Sequence, residues 1–163
     1  MKTIKFTKIA LLAFLTFGLF ACSDDDDGGD VITPSNTIAD FVAGNPDYSS
    51  LGAALEVTGL DATLDGTANF TVFAPNNAAF NSFLSNNGFN SLDEVPEDVL
   101  TEILLNHVQE GEIMSSALST GYIESMATGM ASDQPLSLYI NTDDGITING
   151  VSSVTTPDVE VDN

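Results

Sequence analysis

The sequence predicts an α+β domain, with helices clustered in its N-terminal half and a hairpin-rich β-sheet in its C-terminal half. Three observations carry that assignment. Apolar residues recur at helical spacing behind capping residues over the first part of the domain. A β-branched and aromatic run interrupts them at Phe70, and after about residue 120 apolar residues alternate with polar ones.

Taken in order, Thr37-Ile38-Ala39-Asp40 is a capping-box start, and it leads into Ile38, Phe41 and Val42 on one face of a helix ending near Gly44. Asp47 is expected to cap a second helix carrying Leu51, Ala54 and Leu55 and closed by Gly59. Asp65-Gly66 predicts a turn, and Phe70-Thr71-Val72-Phe73 a buried strand with Phe73 and the later Phe80 as its apolar anchors. Pro75 stops that strand. Asn76 can then cap a helix bearing Ala79, Phe80, Phe83 and Leu84.

Pro96 begins the next helix with Glu97 and Asp98 in its first turn, where carboxylates oppose the positive end of the helix dipole. Val99, Leu100, Ile103, Leu104 and His107 are expected on its apolar face, with Gly111 just past its end. Leu136, Leu138 and Ile140 then alternate with polar partners, Asp144-Gly145 signals a hairpin, and Ile146 and Ile148 alternate again. Val154, and Val159 with Val161, suggest two further short extended pieces.

Charge removes whole classes of function. Among 163 residues there are 24 Asp and Glu against 3 Lys and Arg, a formal net charge of −21, and the three bases are Lys2, Lys5 and Lys8. A chain without cations beyond its eighth residue cannot neutralise phosphates, which excludes nucleic acid as a partner and docking on anionic lipid through a basic patch. It also has no lysine for a Schiff base or phosphate loop and no arginine finger. One Cys and one His allow neither an internal disulfide nor a multi-histidine metal site, so no metal site and no cofactor are expected.

The first 21 residues read as a signal peptide: the three lysines precede an apolar run from Ile9 to Phe20, too short to span a bilayer comfortably, and Ala21 precedes Cys22. Leu19-Phe20-Ala21-Cys22 resembles the lipobox of bacterial lipoproteins, which implies a diacylglycerol on Cys22. Ser23, Asp24, Asp25, Asp26 and Asp27 follow at once, and four consecutive carboxylates stay solvated, so residues 22–35 are expected to form an acidic tether. The run also resembles the export signal of surface-exposed lipoproteins in one large group of Gram-negative bacteria. Together these imply a protein lipid-anchored to the outer membrane and facing outward. A calcium loop starting at Asp24 fails, because its fifth place is Gly28 and its twelfth Ser35, and Asp143-Asp144-Gly145 fails for want of a first ligand at Ile140.

Thr71-Val72-Phe73-Ala74-Pro75-Asn76-Asn77-Ala78-Ala79-Phe80 resembles the first conserved box of the fasciclin domain, an extracellular module of about this size. The likeness extends over residues 36–163, with Leu51 to Leu55 similar to the second helix, Leu104 to Val108 to the segment around the family histidine, and Ile148-Asn149-Gly150 and Pro157-Asp158 to the late sheet. Two departures follow. The family usually places Tyr before that histidine, and in some animal members the pair is implicated in integrin binding; this chain has Asn106, so an integrin-type role does not carry over. The family continues past an Asn-Gly with a second, histidine-containing apolar strand, and this sequence stops at Asn163 where it would begin, which implies a domain lacking that strand.

For His107 the choice lies between a ligand or general base and a hydrogen-bonded imidazole that fixes a helix against the sheet; its apolar helical face and the lack of a second His or Cys favour the latter. Asn69-Phe70-Thr71 spells a glycosylation acceptor, but it enters a buried strand. Three functions remain. The leading one is a surface lipoprotein whose domain binds a protein or matrix polysaccharide without catalysis. The second is a polyanionic module holding Ca²⁺ or Mg²⁺ weakly. The last is a hydrolase, for which no G-x-S-x-G or cofactor fingerprint is present, and the carboxylate pairs Asp93/Glu94 and Glu97/Asp98 are explained by their place around a helix start.

Overall fold

Thr37 opens the helical half as its sequence implies. In the computed structural model, which describes residues 36–129 and 134–163, Thr37 Oγ1 accepts from Asp40 N at 3.2 Å and Asp40 Oδ2 accepts from Thr37 N at 3.3 Å. That reciprocal pair starts helix α1 (Ile38–Gly44). The buried Thr37 hydroxyl also donates to Asp65 Oδ1 at 2.9 Å, just past a short helix α3 (Asp61–Leu64) that no sequence signal indicated. Residues 1–21, read from the sequence as a signal peptide, together with Cys22, Ser23 and Asp24 to Asp27, lie outside the described residues.

The second helix does not start as expected. Asp47 lies in a 3₁₀ turn, Pro46–Tyr48, that Asn45 caps by accepting from Asp47 N at 3.0 Å. Helix α2 (Ser49–Thr58) has no local side-chain cap, and its free Ser50 N–H donates instead to Asn77 Oδ1 at 2.9 Å, 27 residues away in sequence. Asn77 Nδ2 returns a hydrogen bond to Pro46 O at 2.9 Å. One amide therefore satisfies both a helix N-terminus and the turn before it. Gly59, with φ of 66°, closes α2 in the left-handed conformation that glycine adopts without Cβ strain.

Strand β1 (Phe70–Val72) leads through Pro75 into helix α4 (Asn77–Asn87), where Asn76 Oδ1 caps Ala79 N at 3.0 Å as predicted. Helix α5 (Glu97–Leu105) ends before His107, and a strand, β2 (Val108–Glu110), fills the space that the sequence left between helix and Gly111. β1 and β2 pair antiparallel, Thr71 opposite Gln109.

The main core lies among the helices α1 to α5 and strand β2. Ile38, Val42, Leu51, Ala54, Leu55, Leu64, Phe80, Val95, Leu100, Leu104 and Val108 are its buried members. Burying one such side chain stabilises the fold by roughly 1.5–3 kcal/mol, so Leu100, fully buried, is the position where truncation would do most harm. Val99, expected on the same face, is instead 37% exposed. Phe73 is not in this cluster and is only half-buried, so Phe80 is the anchor of the pair and Phe73 is free for another role.

The late sheet is antiparallel, in the order β3 (Gly121–Thr128), β4 (Pro135–Asn141), β5 (Thr147–Ile148), β6 (Ser152–Ser153). Leu138 and Ile140 bury one face of β4, whereas Leu136, near the start of the strand, is 39% exposed. The expected Asp144-Gly145 hairpin joins β4 to β5, and a second turn that was not foreseen joins β5 to β6, with Asn149 and Gly150 both at positive φ. Val159 and Val161 form no strand. The segment from Val154 onward is an irregular tail that bends at Thr155 and Thr156, Val161 packing on the main core.

Candidate functional site

Backbone pairing determines which edge of β1 is available. Gly111 N donates to Asn69 O at 2.8 Å and Phe73 N to His107 O at 2.9 Å, so Asn69, Thr71 and Phe73 direct their backbone groups toward β2. Phe70, Val72 and Ala74 therefore direct theirs to the opposite edge. Among the described residues no strand pairs with that edge, and β6 likewise has β5 on one side only.

Both edges line one groove of about 600 Å³, within the usual size range of a binding site. Half-buried Phe70, Phe73, Ile113, Ile146, Ile148 and Val154 give it an apolar lining. The structure brings Thr71, Val72, Phe73, Ala74, Pro75, Asn76, Ala79 and His107 together along this groove, and leaves Phe80 in the core behind it. The motif read from the sequence is thus one wall of a concave surface.

Several side chains hold that surface in shape. Thr71 Oγ1 donates to Gly111 O and accepts from Ile113 N, each at 2.8 Å, which fastens the segment after β2 to β1. His107 Nδ1 lies 2.7 Å from Ile103 O; a carbonyl only accepts, so the proton sits on Nδ1 and the half-buried ring closes the last turn of α5. Asn106, at the position where the family resemblance expects Tyr, has its Oδ1 2.9 Å from the buried Ser125 Oγ, which also reaches Leu136 O at 3.0 Å. That amide ties the end of α5 to β3 and β4.

The tail is pinned at both ends. Asp158, at φ 56°, accepts from Ser115 N at 2.7 Å and Ser115 Oγ at 2.6 Å, and these bonds, the hydroxyl's first, hold its carboxyl below the ordinary value. Asn163 Oδ1 accepts from Ile38 N at 2.9 Å, while its Nδ2 donates to Leu64 O at 2.6 Å and Gly66 O at 2.8 Å. Pro157-Asp158, expected in the late sheet, belongs instead to this rim of the groove. Glu112, Asp158, Glu160 and Asp162 give the rim its charge, and no Lys or Arg occurs in residues 36–163 to offset it.

Among the described residues no group of three or more His, Cys, Asp or Glu is placed to hold a metal ion. Sequence reasoning missed the roles of Asn77, Asp158 and Asn163, because each acts on residues far away in the chain. Only the doubled asparagine after Pro75 hinted at a second capping amide.

Helices packed with two antiparallel sheets, and an apolar groove running along β1, define a small α+β domain. The chain belongs to the fasciclin domain family, whose model matches residues 46–163. It is 35% identical over 91 residues to Protein sll1483 of Synechocystis sp., covering 56% of this chain and 51% of that protein. It is 34% identical over 87 residues to the transforming growth factor-beta-induced protein ig-h3 of Oryctolagus cuniculus, covering 53% of this chain and 12% of that one. The chain thus spans about half the length of the first relative and a much smaller part of the second. Fasciclin domains are associated with adhesion and protein interaction and are typically extracellular or surface-associated.

Proposed function

We propose that the chain is a surface lipoprotein, anchored to the bacterial outer membrane through lipid on Cys22, whose fasciclin domain binds another protein or a matrix polysaccharide and performs no catalysis. The observation that supports this most directly is the family match over residues 46–163, with the motif from Thr71 to Ala79 lying along one apolar groove. The lysine-flanked apolar leader, the small residue before Cys22 and the acidic run after it support export and anchoring.

Two measurements test the reading. Cells fed a labelled fatty acid should incorporate it into this protein and lose it in Cys22→Ala, and protease added to intact cells should remove the domain. Protection of the domain until lysis would refute the outward-facing assignment. A pull-down from envelope and matrix extracts should recover the same partner with and without chelator; recovery only with divalent cations would replace this reading with cation capture.

A further inference from the structure

We infer that the outward face of β3 and β4 docks an arginine-bearing segment of a partner protein, whose guanidinium stacks on Tyr122 and Tyr139 and is met by the carboxylates beside them. The inference rests on the binding role proposed above and narrows the partner to a basic protein.

This face lies on the side of the sheet away from the groove. Leu138 and Ile140 are buried and Leu138 lines the groove, so Ser137, Tyr139 and Asn141, which alternate with them, point the other way. In the strand register Tyr122 stands opposite Tyr139 and Glu124 opposite Ser137, which places the four on one surface. The two rings lie 5.2 Å apart between centroids, tilted by 56°. Among the described residues Tyr122 is the one aromatic side chain that is exposed, at 76%. Tyr139 is fixed from behind: its N–H donates to Asn149 Oδ1 at 2.9 Å, and Asn149 N donates to its carbonyl at 2.8 Å. A ligand that settles on this pair therefore has little ordering to impose.

Carboxylates flank the rings. Glu124 is diagonal to Tyr139, a separation of about 7–8 Å in strand geometry. Beyond Tyr139, Asn141 holds Asp143, donating from Nδ2 to Asp143 Oδ2 at 3.3 Å and accepting from Asp143 N at 3.0 Å. A ring face attracts a cation, and a neighbouring carboxylate accepts its N–H groups. Arginine fits such a place better than lysine, because its planar fork stacks on a ring and donates two parallel hydrogen bonds.

Charge decides between occupants. Residues 36–163 carry 19 acidic residues and no base, so a second copy of this domain brings only like charge to the surface, as do the chain's own Asp24 to Asp27. A neutral sugar stacks on a ring but brings no charge to offset Glu124 and Asp143. A protein segment with exposed arginine is complementary to both rings and carboxylates.

The test uses fluorine NMR on the full chain with 3-fluorotyrosine in place of tyrosine, which gives one resonance each for Tyr48, Tyr122 and Tyr139. A short acetylated peptide carrying two arginines among Gly and Ser should shift the Tyr122 and Tyr139 resonances and leave Tyr48, packed against the main core, unmoved. Shifts at all three, or at none, would overturn the proposal. The same peptide with citrulline keeps the shape without the charge, and with lysine keeps the charge without the planar fork. Each should bind about fivefold more weakly or worse, and a lysine peptide that binds equally would reduce the effect to diffuse attraction and overturn the proposal. Tyr122→Thr should lose the Tyr139 shift while Tyr122→Phe, which keeps the ring, retains it, both with an unchanged circular dichroism spectrum. Glu124→Gln should weaken binding, whereas Glu56→Gln, which removes the same charge from the exposed side of α2, should not; equal effects would overturn the proposal. A neutral hexasaccharide that shifts the two resonances as strongly as the arginine peptide would make the surface a sugar platform and overturn it as well. Failure here with a partner still recovered from envelope and matrix extracts would remove this site alone, whereas recovery of no partner at all would strike the underlying reading.

Discussion

Replacing Thr71 by Val isolates what one hydroxyl contributes to the groove. The two side chains have nearly the same shape, and Val suits a strand at least as well, so little changes except two hydrogen bonds of 2.8 Å, to Gly111 O and from Ile113 N. A typical bond of this kind contributes about 1 kcal/mol net, so the pair is worth about 2 kcal/mol, reduced by some tenths for the better strand former. For a domain of this size, roughly 3–5 °C of melting temperature accompanies each kcal/mol, which places the expected loss at about 5–10 °C. Urea and thermal melts followed by far-ultraviolet circular dichroism would measure it. Thr71→Ser, which keeps the hydroxyl and drops the methyl, should stay within about 1 kcal/mol of the parent. If Val and Ser variants fell by equal amounts, or if Val changed stability by less than about 0.5 kcal/mol, the hydroxyl would not be the fastening group.

Asn77→Ala removes the distant cap of α2 and should destabilise the domain by about 1 kcal/mol in a urea melt, with protection from hydrogen exchange falling first at Ser50. Asp158 has a folded-state pKa below its ordinary value, because Ser115 bonds its ionised form. Its contribution is therefore present above that ordinary value and disappears as pH falls through the lowered one. Hydrogen exchange around Ser115 should accelerate on acidification over that window, and Asp158→Asn should show the faster exchange with no such pH step. Because residues 36–163 carry no Lys or Arg, self-repulsion is unrelieved by ion pairs, and the screening length falls from about 30 Å at 0.01 M salt to about 10 Å at 0.1 M. The melting temperature should rise across that range, and a flat profile would contradict the argument.

The parts of the fold that were legible in the sequence are those where cause and effect lie within a few residues. The Thr37 capping box, the Asn76 cap, the glycine end of α2 and the alternation of Leu138 with Ile140 all appear as read. The failures share the opposite property. Asp47 was a plausible local cap, but Asn77 reaches the helix from another element; Phe73 had the composition of a core strand, but its burial depends on what packs beside β1. β2 was hidden because three residues are too few to show a period. The motif from Thr71 to Phe80 marked the right region, while the tail that forms the rim left no pattern, since Asp158 and Asn163 act through single hydrogen bonds rather than through periodicity.

In a domain without Lys or Arg, neutral amides take the donor roles that cationic side chains commonly fill. Asn77 and Asn163 donate from Nδ2 to the carbonyls of Pro46, Leu64 and Gly66. These joints do not titrate, yet they can age. Hydrolysis of either amide to a carboxylate would erase the donor, set a negative oxygen against a carbonyl, and add one more charge to a surface already uniformly negative. Loss of either amide would therefore cost the fold a donor that no Lys or Arg in residues 36–163 is present to replace.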